Sequence, residues 1–385
     1  MKKYLFFYLK TGGGHLAPAK AVAEKIKNKK KNEVEIILAD GLAKANPIIR
    51  YIIEDGYRNS VNKAVWVFEF LYALHKIRLI SVLSSYIVSW FIEGLIEKEI
   101  MVSKPEKIVI FHFFLITPVY NVIERNKLYI PVITVVTDPF TAHPIWFIRK
   151  DQNYILFSDM LKEKCISKGL DNKRMKVFPF VLDQRYSRQP GRVKQNVIRK
   201  KLGFSDDSKV ILIMGGGDGM PRGKKILKSI IINNINAEVA VVCGRNRKMY
   251  DHICKIKRKY SSENLKIYGF IDNVHELISI SDIVITKCGA STFMEILLLG
   301  KVQIINNYIW EQEKGNKDFI CKKDMGIFEK NTKKIPAIVS RLLNDEDFYK
   351  SHVANIRKAS ICNGVGPVSE YLINFNTQHE YTYNI

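Results

Sequence analysis

The stretch "YLFFYLKTGGGHLAPAKAVAEKI" (Tyr4–Ile26) decides the fold. Tyr4–Leu9 is a short apolar run bounded by a turn, the signature of a buried strand. Beyond Thr11–His15, alanine, valine and isoleucine recur at helical spacing between lysines. Strand, glycine turn and helix together open a doubly wound α/β domain. Two lysines precede the apolar run, as in a signal peptide. The run is short, however, Lys10 interrupts it, and no small-residue cleavage site precedes the glycines, so we expect a first buried strand. The glycines leave two readings open. Either they only turn the chain, or they clear space for a ligand on which His15 acts.

The same unit recurs in the second half, as strand Val210–Met214, glycine-rich Gly215–Gly223 and a helix through Lys224–Ile232. Short buried strands are expected at Val34–Ala39, Lys107–Phe111 and Val132–Thr137 in the first half. In the second they are expected at Glu238–Cys243, Lys266–Tyr268, Ile283–Thr286 and Val302–Ile305. A chain of 385 residues also exceeds the usual size of one core. The reading is therefore two Rossmann-like domains, 1–185 and 186–358, with a helix at about 360–375 packing back on the first. The polar, basic stretch Asp183–Lys201, with Pro190-Gly191, is the expected linker, and the tail after Asn374 is expected to be loosely held. Open α/β sheets bind ligands beyond the carboxyl ends of their strands, so both glycine loops are expected to face an interdomain cleft.

Lysine and arginine number 61 against 38 aspartates and glutamates, a net charge of +23. Such a field favours acidic partners: nucleic acid, an anionic membrane surface or phosphorylated substrates. Nucleic acid is set aside, because no RNA-binding RNP motif or zinc finger occurs. Six scattered cysteines without a CxxC pair argue against a zinc knuckle or a disulfide framework and suit a reducing cytoplasm. The segment Asn62–Ile96 is rich in Trp, Phe, Tyr and Leu, with basic residues at Lys63, Lys76 and Arg78. Its uncharged part, Leu79–Ile92, is short for a transmembrane span. It reads either as two helices packed on the sheet or as an apolar, aromatic surface that dips into a bilayer interface.

In the second half "MGGGDG" (Met214–Gly219) brings backbone N–H groups of Gly216, Gly217 and Asp218 to where a phosphate can be approached closely. The P-loop spacing is missing. In "DIVITKCGASTFMEILLLGKVQII" (Asp282–Ile305) Gly289 turns the chain, and Ser291 and Thr292 open a helix that carries Glu295. N–H groups and hydroxyls there suit a diphosphate, and Glu295 suits ribose hydroxyls. An isolated Glu in a first helical turn equally serves the helix itself. In "IWEQEKGN" (Ile309–Asn316), Gln312, Glu313 and Asn316 suit a polyhydroxylated ligand; as bare residues they are a solvated loop and helix cap. No DxD pair stands in a context fit for a metal-diphosphate site, so no metal and no cofactor is expected.

The series TGGGH, "VTDPFTAHPIWF" (Val136–Phe147), MGGGDG, "GFIDNVHELISISDIVITKCGASTFMEILLLGK" (Gly269–Lys301) and EQEKGN resembles the family-28 glycosyltransferases of GT-B fold. The branch it is most similar to is that of the monogalactosyldiacylglycerol synthases and processive diacylglycerol glucosyltransferases. The resemblance runs from Thr11 to about Gly326 and is weak over Asn46–Lys104, the part that in this family faces acceptor and membrane. It implies a UDP-sugar donor held mainly by the second domain. Gly269, Phe270 and Ile271 would bracket the uracil, and Glu295 would take the ribose hydroxyls. Ser291, Thr292 and the glycine loops, Gly14 and Gly289 included, would face the diphosphate. Gln312 and Glu313 would lie near the sugar, and His15 would be the catalytic base. Asp138 is our second candidate for that base or for a group orienting it; His112 and His143 read as structural or acceptor-side residues. The chain departs from the family in "FPFVLDQRY" (Phe178–Tyr186), which lacks the relatives' glycine and central proline. It departs again at Leu16 and Pro18, where relatives often carry Arg and Ser; Pro18 suits a first helical turn.

The implied reaction is an inverting, metal-independent transfer of a hexosyl group to a lipid such as diacylglycerol, at the cytoplasmic face of an anionic membrane. Two other readings stand beside it. A UDP-sugar 2-epimerase would share the architecture and donor site, and a non-catalytic membrane-binding protein would use only the charge.

Overall fold

The computed structural model describes residues 1–56, 59–60, 65–186 and 189–376. Residues 57–58 and 61–64, Lys63 among them, the stretch 187–188 and the tail from 377 lie outside the described residues. The chain divides into two units: Met1–Asp183 with the chain from Gly364 onward, and Gln184–Asn363.

The first unit is built on a six-stranded parallel sheet in the order β2-β1-β3-β4-β5-β6. Its strands are β1 (Lys2–Tyr8), β2 (Val34–Asp40), β3 (Lys107–Ile110), β4 (Val132–Val135), β5 (Asn153–Leu156) and β6 (Met175–Val177). β3 and β4 are buried along their whole length, which is why they read as continuous apolar runs. β5 and β6 are short strands that no such run announces. Helix α1 (Gly13–Lys29) begins earlier than the periodicity indicates, directly on the glycines. Pro18 is thus its sixth residue rather than part of a first turn, and the Gly14 carbonyl receives no bond from position 18.

A four-residue helix, α2 (Pro47–Arg50), runs into a π-helical turn at Tyr51–Asp55. Two apolar helices follow, α3 (Val65–Leu74) and α4 (Arg78–Ser103). α4 is inverted relative to an ordinary surface helix. Its buried positions are Ser81, Ser85, Ser89, Ile92, Ile96, Ile100 and Ser103, while Leu79, Leu83, Tyr86, Ile87, Trp90 and Phe91 are exposed. Serines four apart let α5 (Ile116–Arg125) approach closely, and a polar seam joins the two helices. The Ser85 and Thr117 hydroxyls bond each other. Glu93 accepts from Ser89 at 3.0 Å, from Asn121 at 2.9 Å and from Arg125, and Glu97 accepts from Arg125 at 2.9 Å and Asn126 at 2.8 Å. Burial alone would raise the Glu93 carboxyl, yet these donors hold it below its usual range. Helix α6 (Asp159–Ile166) connects β5 to β6.

The second sheet, also parallel, has the order β12-β11-β10-β7-β8-β9. Its strands are β7 (Val210–Ile213), β8 (Glu238–Val242), β9 (Leu265–Tyr268), β10 (Ile283–Lys287), β11 (Val302–Asn307) and β12 (Gly326–Phe328). The expected linker is only partly a linker. From Arg192 it forms α7 (Arg192–Lys201), which buries Ile198 and belongs to this unit, with Arg199 donating to the carbonyls of Ser205, Ser208 and Ile280. The helices α8 (Gly223–Ile232), α9 (Arg247–Lys259), α10 (Val274–Ile280), α11 (Ala290–Leu298), α12 (Trp310–Lys322), α13 (Ile335–Asn344) and α14 (Glu346–Lys358) follow.

The chain then returns to the first unit as α15 (Val365–Asn374), which packs on α1. Lys107, buried in β3, donates its ammonium hydrogens to the carbonyls of Leu372 and Ile373, closing the carboxyl end of α15. Burial pushes this lysine down to about 8.

Candidate active site

In each unit the candidate residues gather beyond the carboxyl ends of strands, where the sheet order reverses. In the first unit that point lies between β1 and β3. Only Gly12 in the first glycine loop needs to be glycine for its backbone, at φ 138°. A Cβ on Gly13 or Gly14 would meet none of the described residues within 4 Å. The loop therefore leaves open space as well as turning the chain.

His15, half-buried in the first turn of α1, has its Nδ1 at 2.9 Å from the Phe111 carbonyl and 2.8 Å from Thr137 Oγ1. A carbonyl only accepts, so Nδ1 carries the hydrogen and Nε2 holds the lone pair. Burial lowers His15 to about 4, with the Phe111 bond pulling the other way, so the ring is neutral at neutral pH. The His112 ring lies edge-on at 4.5 Å. Burial, and secondarily the neighbouring His15, hold His112 well below its usual value, and its Nδ1 accepts the Phe114 N–H at 3.3 Å.

Asp138 is buried beside Thr137 and accepts the Trp146 indole N–H at 2.8 Å; the Trp146 ring is 6.0 Å from that of His15. The groups that orient His15 are thus Thr137 and the Phe111 carbonyl, which the sequence reading did not single out. His143 is buried, capping the turn Pro144–Phe147 and reaching the Tyr72 carbonyl.

In the second unit the reversal falls between β7 and β10. Gly216, at φ 80°, stands beside Thr292, whose Oγ1 would be 3.9 Å from a Cβ added there. The glycine loop and the start of α11 therefore adjoin. Gly215 and Gly219 are glycines for a different reason. A Cβ on either would lie within 2.7 Å of backbone oxygen, at Gly219 and Cys243 respectively. Gly217 and Asp218 are exposed. Arg245 donates its backbone N–H to the Gly217 carbonyl at 2.8 Å and lays its guanidinium over the Phe270 ring at 4.1 Å. Phe270 is 52% exposed, with Ile271 half-buried after it. Arg245 is a second residue the sequence reading missed, although it too follows a strand, β8.

At α11 the Ser291 hydroxyl is sealed from solvent without a hydrogen-bond partner among the described residues, Thr292 is buried, and Glu295 lies half-buried one turn further on. Gln312, Glu313 and Asn316, expected in a solvated loop, instead belong to α12. Glu313 accepts the Ile309 N–H at 2.7 Å and its other oxygen is 4.0 Å from Lys287 Nζ, beside Gly289. Burial raises Glu313 above the usual carboxylate range. Asn316 donates to the Cys288 carbonyl at 3.0 Å. These two side chains thus tie α12 to the turn after β10, and Gln312 stays half-buried at the helix start.

Two family models match in this order. Residues 15–181 match monogalactosyldiacylglycerol (MGDG) synthase, and residues 210–357 match the glycosyltransferase family 28 C-terminal domain. The chain belongs to the family-28 glycosyltransferases of the MGDG synthase branch. Gly12–Gly14 stand just before the first match, and every other residue placed above falls within one of the two. Among the curated proteins, the probable chloroplastic monogalactosyldiacylglycerol synthase of Nicotiana tabacum is 27% identical over 350 residues. The match covers 88% of this chain and 64% of the tobacco protein. The processive diacylglycerol beta-glucosyltransferase of Bacillus pumilus is 26% identical, over 92% of this chain and 90% of its own. Among solved structures, Acinetobacter baumannii MurG superposes with a TM-score of 0.59 at 13% identity, over 97% of this chain and all of its own. That likeness shows the shared GT-B fold of the family.

Proposed function

We propose that the protein is an inverting glycosyltransferase that moves a hexosyl group from a UDP-sugar to a membrane lipid such as diacylglycerol. The observation that carries this reading is the packing of α4. The helix with the apolar outer face lies against the turns Phe113–Leu115 and Pro144–Phe147, the same turns that surround His15. By length and composition α4 is apolar enough to cross a membrane, and only 28% of its apolar window is buried. With one face fixed to α5 by polar groups, it suits a helix lying in the interface, its apolar side in the acyl region. The family and its two lipid-glycosylating relatives support the same acceptor class.

In this reading the acceptor hydroxyl gives its proton to His15 Nε2 while its oxygen attacks the anomeric carbon. The bond from that carbon to the diphosphate oxygen breaks, the configuration inverts, and UDP leaves. Thr137 and the Phe111 carbonyl hold the ring in the receiving tautomer. Backbone N–H groups at Gly216 and Gly217, the Ser291 and Thr292 hydroxyls, the start of α11 and Arg245 would take the charge of the leaving diphosphate without a metal. Phe270 would cover the uracil and Glu295 the ribose. The site is proposed to work at the cytoplasmic face of an anionic membrane, where the net charge of +23 assists adsorption.

A donor screen tests this reading. Radiolabelled UDP-sugars are offered with vesicles of phosphatidylglycerol and diacylglycerol, and the lipid products are read by mass. One UDP-sugar should label the lipid, and His15→Ala should lower that rate by about a thousandfold or more while UDP binding persists. The rate should stay level from about pH 8 to about pH 5, because His15 is neutral throughout. No labelled lipid with any donor, together with isomerised UDP-N-acetylglucosamine in lipid-free incubations, would instead establish the epimerase.

A further inference from the structure

The exposed apolar helix α3 and the loop that carries Asp138 meet at one side chain. His143 is 7% exposed, and both of its ring nitrogens are engaged. Nε2 lies 3.2 Å from the Tyr72 carbonyl, and Nδ1 lies 3.1 Å from the Ile145 amide nitrogen. A carbonyl only accepts and an amide N–H only donates, so the tautomer is forced: Nε2–H donates to Tyr72 and Nδ1 accepts from Ile145.

Each bond has a distinct job. Tyr72 is in the last turn of α3, and the imidazole bond to its carbonyl ties that helix end to the loop. The Ile145 bond caps the turn Pro144–Phe147, which holds Trp146 fully buried with its indole N–H on Asp138. The Tyr72 ring also stands edge-on to the imidazole at 4.5 Å and meets Phe68 at 5.6 Å. Phe68 is the buried residue of α3; Trp66, Phe70 and Leu71 are exposed, Trp66 by 74%. A helix with so little buried apolar surface has low local stability unless something covers its outer face.

We infer that His143 is a positioning residue that couples the seating of α3 on a lipid surface to the loop carrying Asp138. A bilayer that takes up Trp66, Phe70 and Leu71 favours the seated helix by the amount it prefers that arrangement. The seated helix presents the Tyr72 carbonyl, His143 stays in place, and the Trp146–Asp138 pair beside His15 is held with it. The surface then raises turnover as well as local substrate concentration. The inference rests on the proposed lipid acceptor for its kinetic consequence, but not for the structural coupling.

Two substitutions separate the two bonds. His143→Asn puts an amide oxygen near the Nδ1 position, keeping the cap while losing the reach to Tyr72. His143→Gln puts an amide nitrogen near the Nε2 position, keeping the tie while losing the cap. Hydrogen exchange of the full chain is followed with and without vesicles of phosphatidylglycerol and phosphatidylcholine. In the natural sequence vesicles should slow exchange in both 65–74 and 138–147, and in His143→Gln, which lacks the cap, in 65–74 alone. In His143→Asn they should slow it in 65–74 alone, and kcat on vesicles should fall about tenfold with KM for the UDP-sugar little changed. Joint protection in His143→Asn, or no response of 138–147 in the natural sequence, overturns the coupling whatever the variants' own stability. Joint protection in a protein that transfers no sugar upholds the coupling and retires the glycosyltransferase reading.

Discussion

Ser291 stands second in α11 with a sealed hydroxyl that has no hydrogen-bond partner among the described residues. Removing such a group relieves an unpaired polar atom, so Ser291→Ala should leave thermal unfolding unchanged or slightly raise its midpoint. If the hydroxyl serves the diphosphate, UDP affinity measured by calorimetry should fall about fivefold to thirtyfold, the worth of ~1–2 kcal/mol. Lost stability with intact affinity would make it a structural residue instead. Ser291 and His15 were legible in the sequence because each follows a strand and a glycine turn, in the first turn of a helix. Their partners were not. Thr137 follows β4, Phe111 follows β3 and contributes only a carbonyl, which any residue type supplies, and Arg245 follows β8. Such groups are brought in by strand order, and strand order is set by contacts far apart in the chain.

At the scale of elements, α4 decides what the first unit can touch. Polar side chains hold its inner face to α5, so its apolar outer face is free to differ without loosening the fold. Leu83→Glu and Trp90→Glu, at positions 59% and 78% exposed, should leave the unfolding midpoint nearly unchanged. Co-sedimentation with vesicles should fall about tenfold or more for each, since each side chain withdraws an insertion worth ~1.5–3 kcal/mol. Unchanged sedimentation would show that the vesicles meet another face. The sequence left two readings of this segment open, packed helices or a bilayer surface, because composition alone does not say which face turns inward. The serines at 81, 85 and 89 carry that answer once α5 is set against them. Glu313 and Asn316 show the reverse case: a polar run that read as a solvated loop became the buried shoulder of α12, because the turn after β10 needed their hydrogen bonds.

For the whole molecule, two glycine-turn openings and a series of short apolar strands were enough to read two parallel α/β units. The strands that escaped, β5, β6 and β12, are three or four residues long and gain their place from pairing with neighbouring strands. The chain's return also has a consequence for the second unit taken alone. Residues 184–363 expressed by themselves should unfold in one cooperative transition and bind UDP by calorimetry, since the unit contains its whole sheet and every donor candidate except Gly14. An unfolded fragment would show that the first unit is needed for its folding. Its two ends lie side by side, with the Asn363 amide donating to the Tyr186 carbonyl at 3.1 Å. Next to them the Gly364 N–H donates to the Phe180 carbonyl at 2.9 Å, at a position with no room for a Cβ. In genetic terms this is a cassette. Under the proposed function, an in-frame exchange at these two adjacent joints should import another protein's nucleotide-sugar preference while the choice of lipid stays with the recipient.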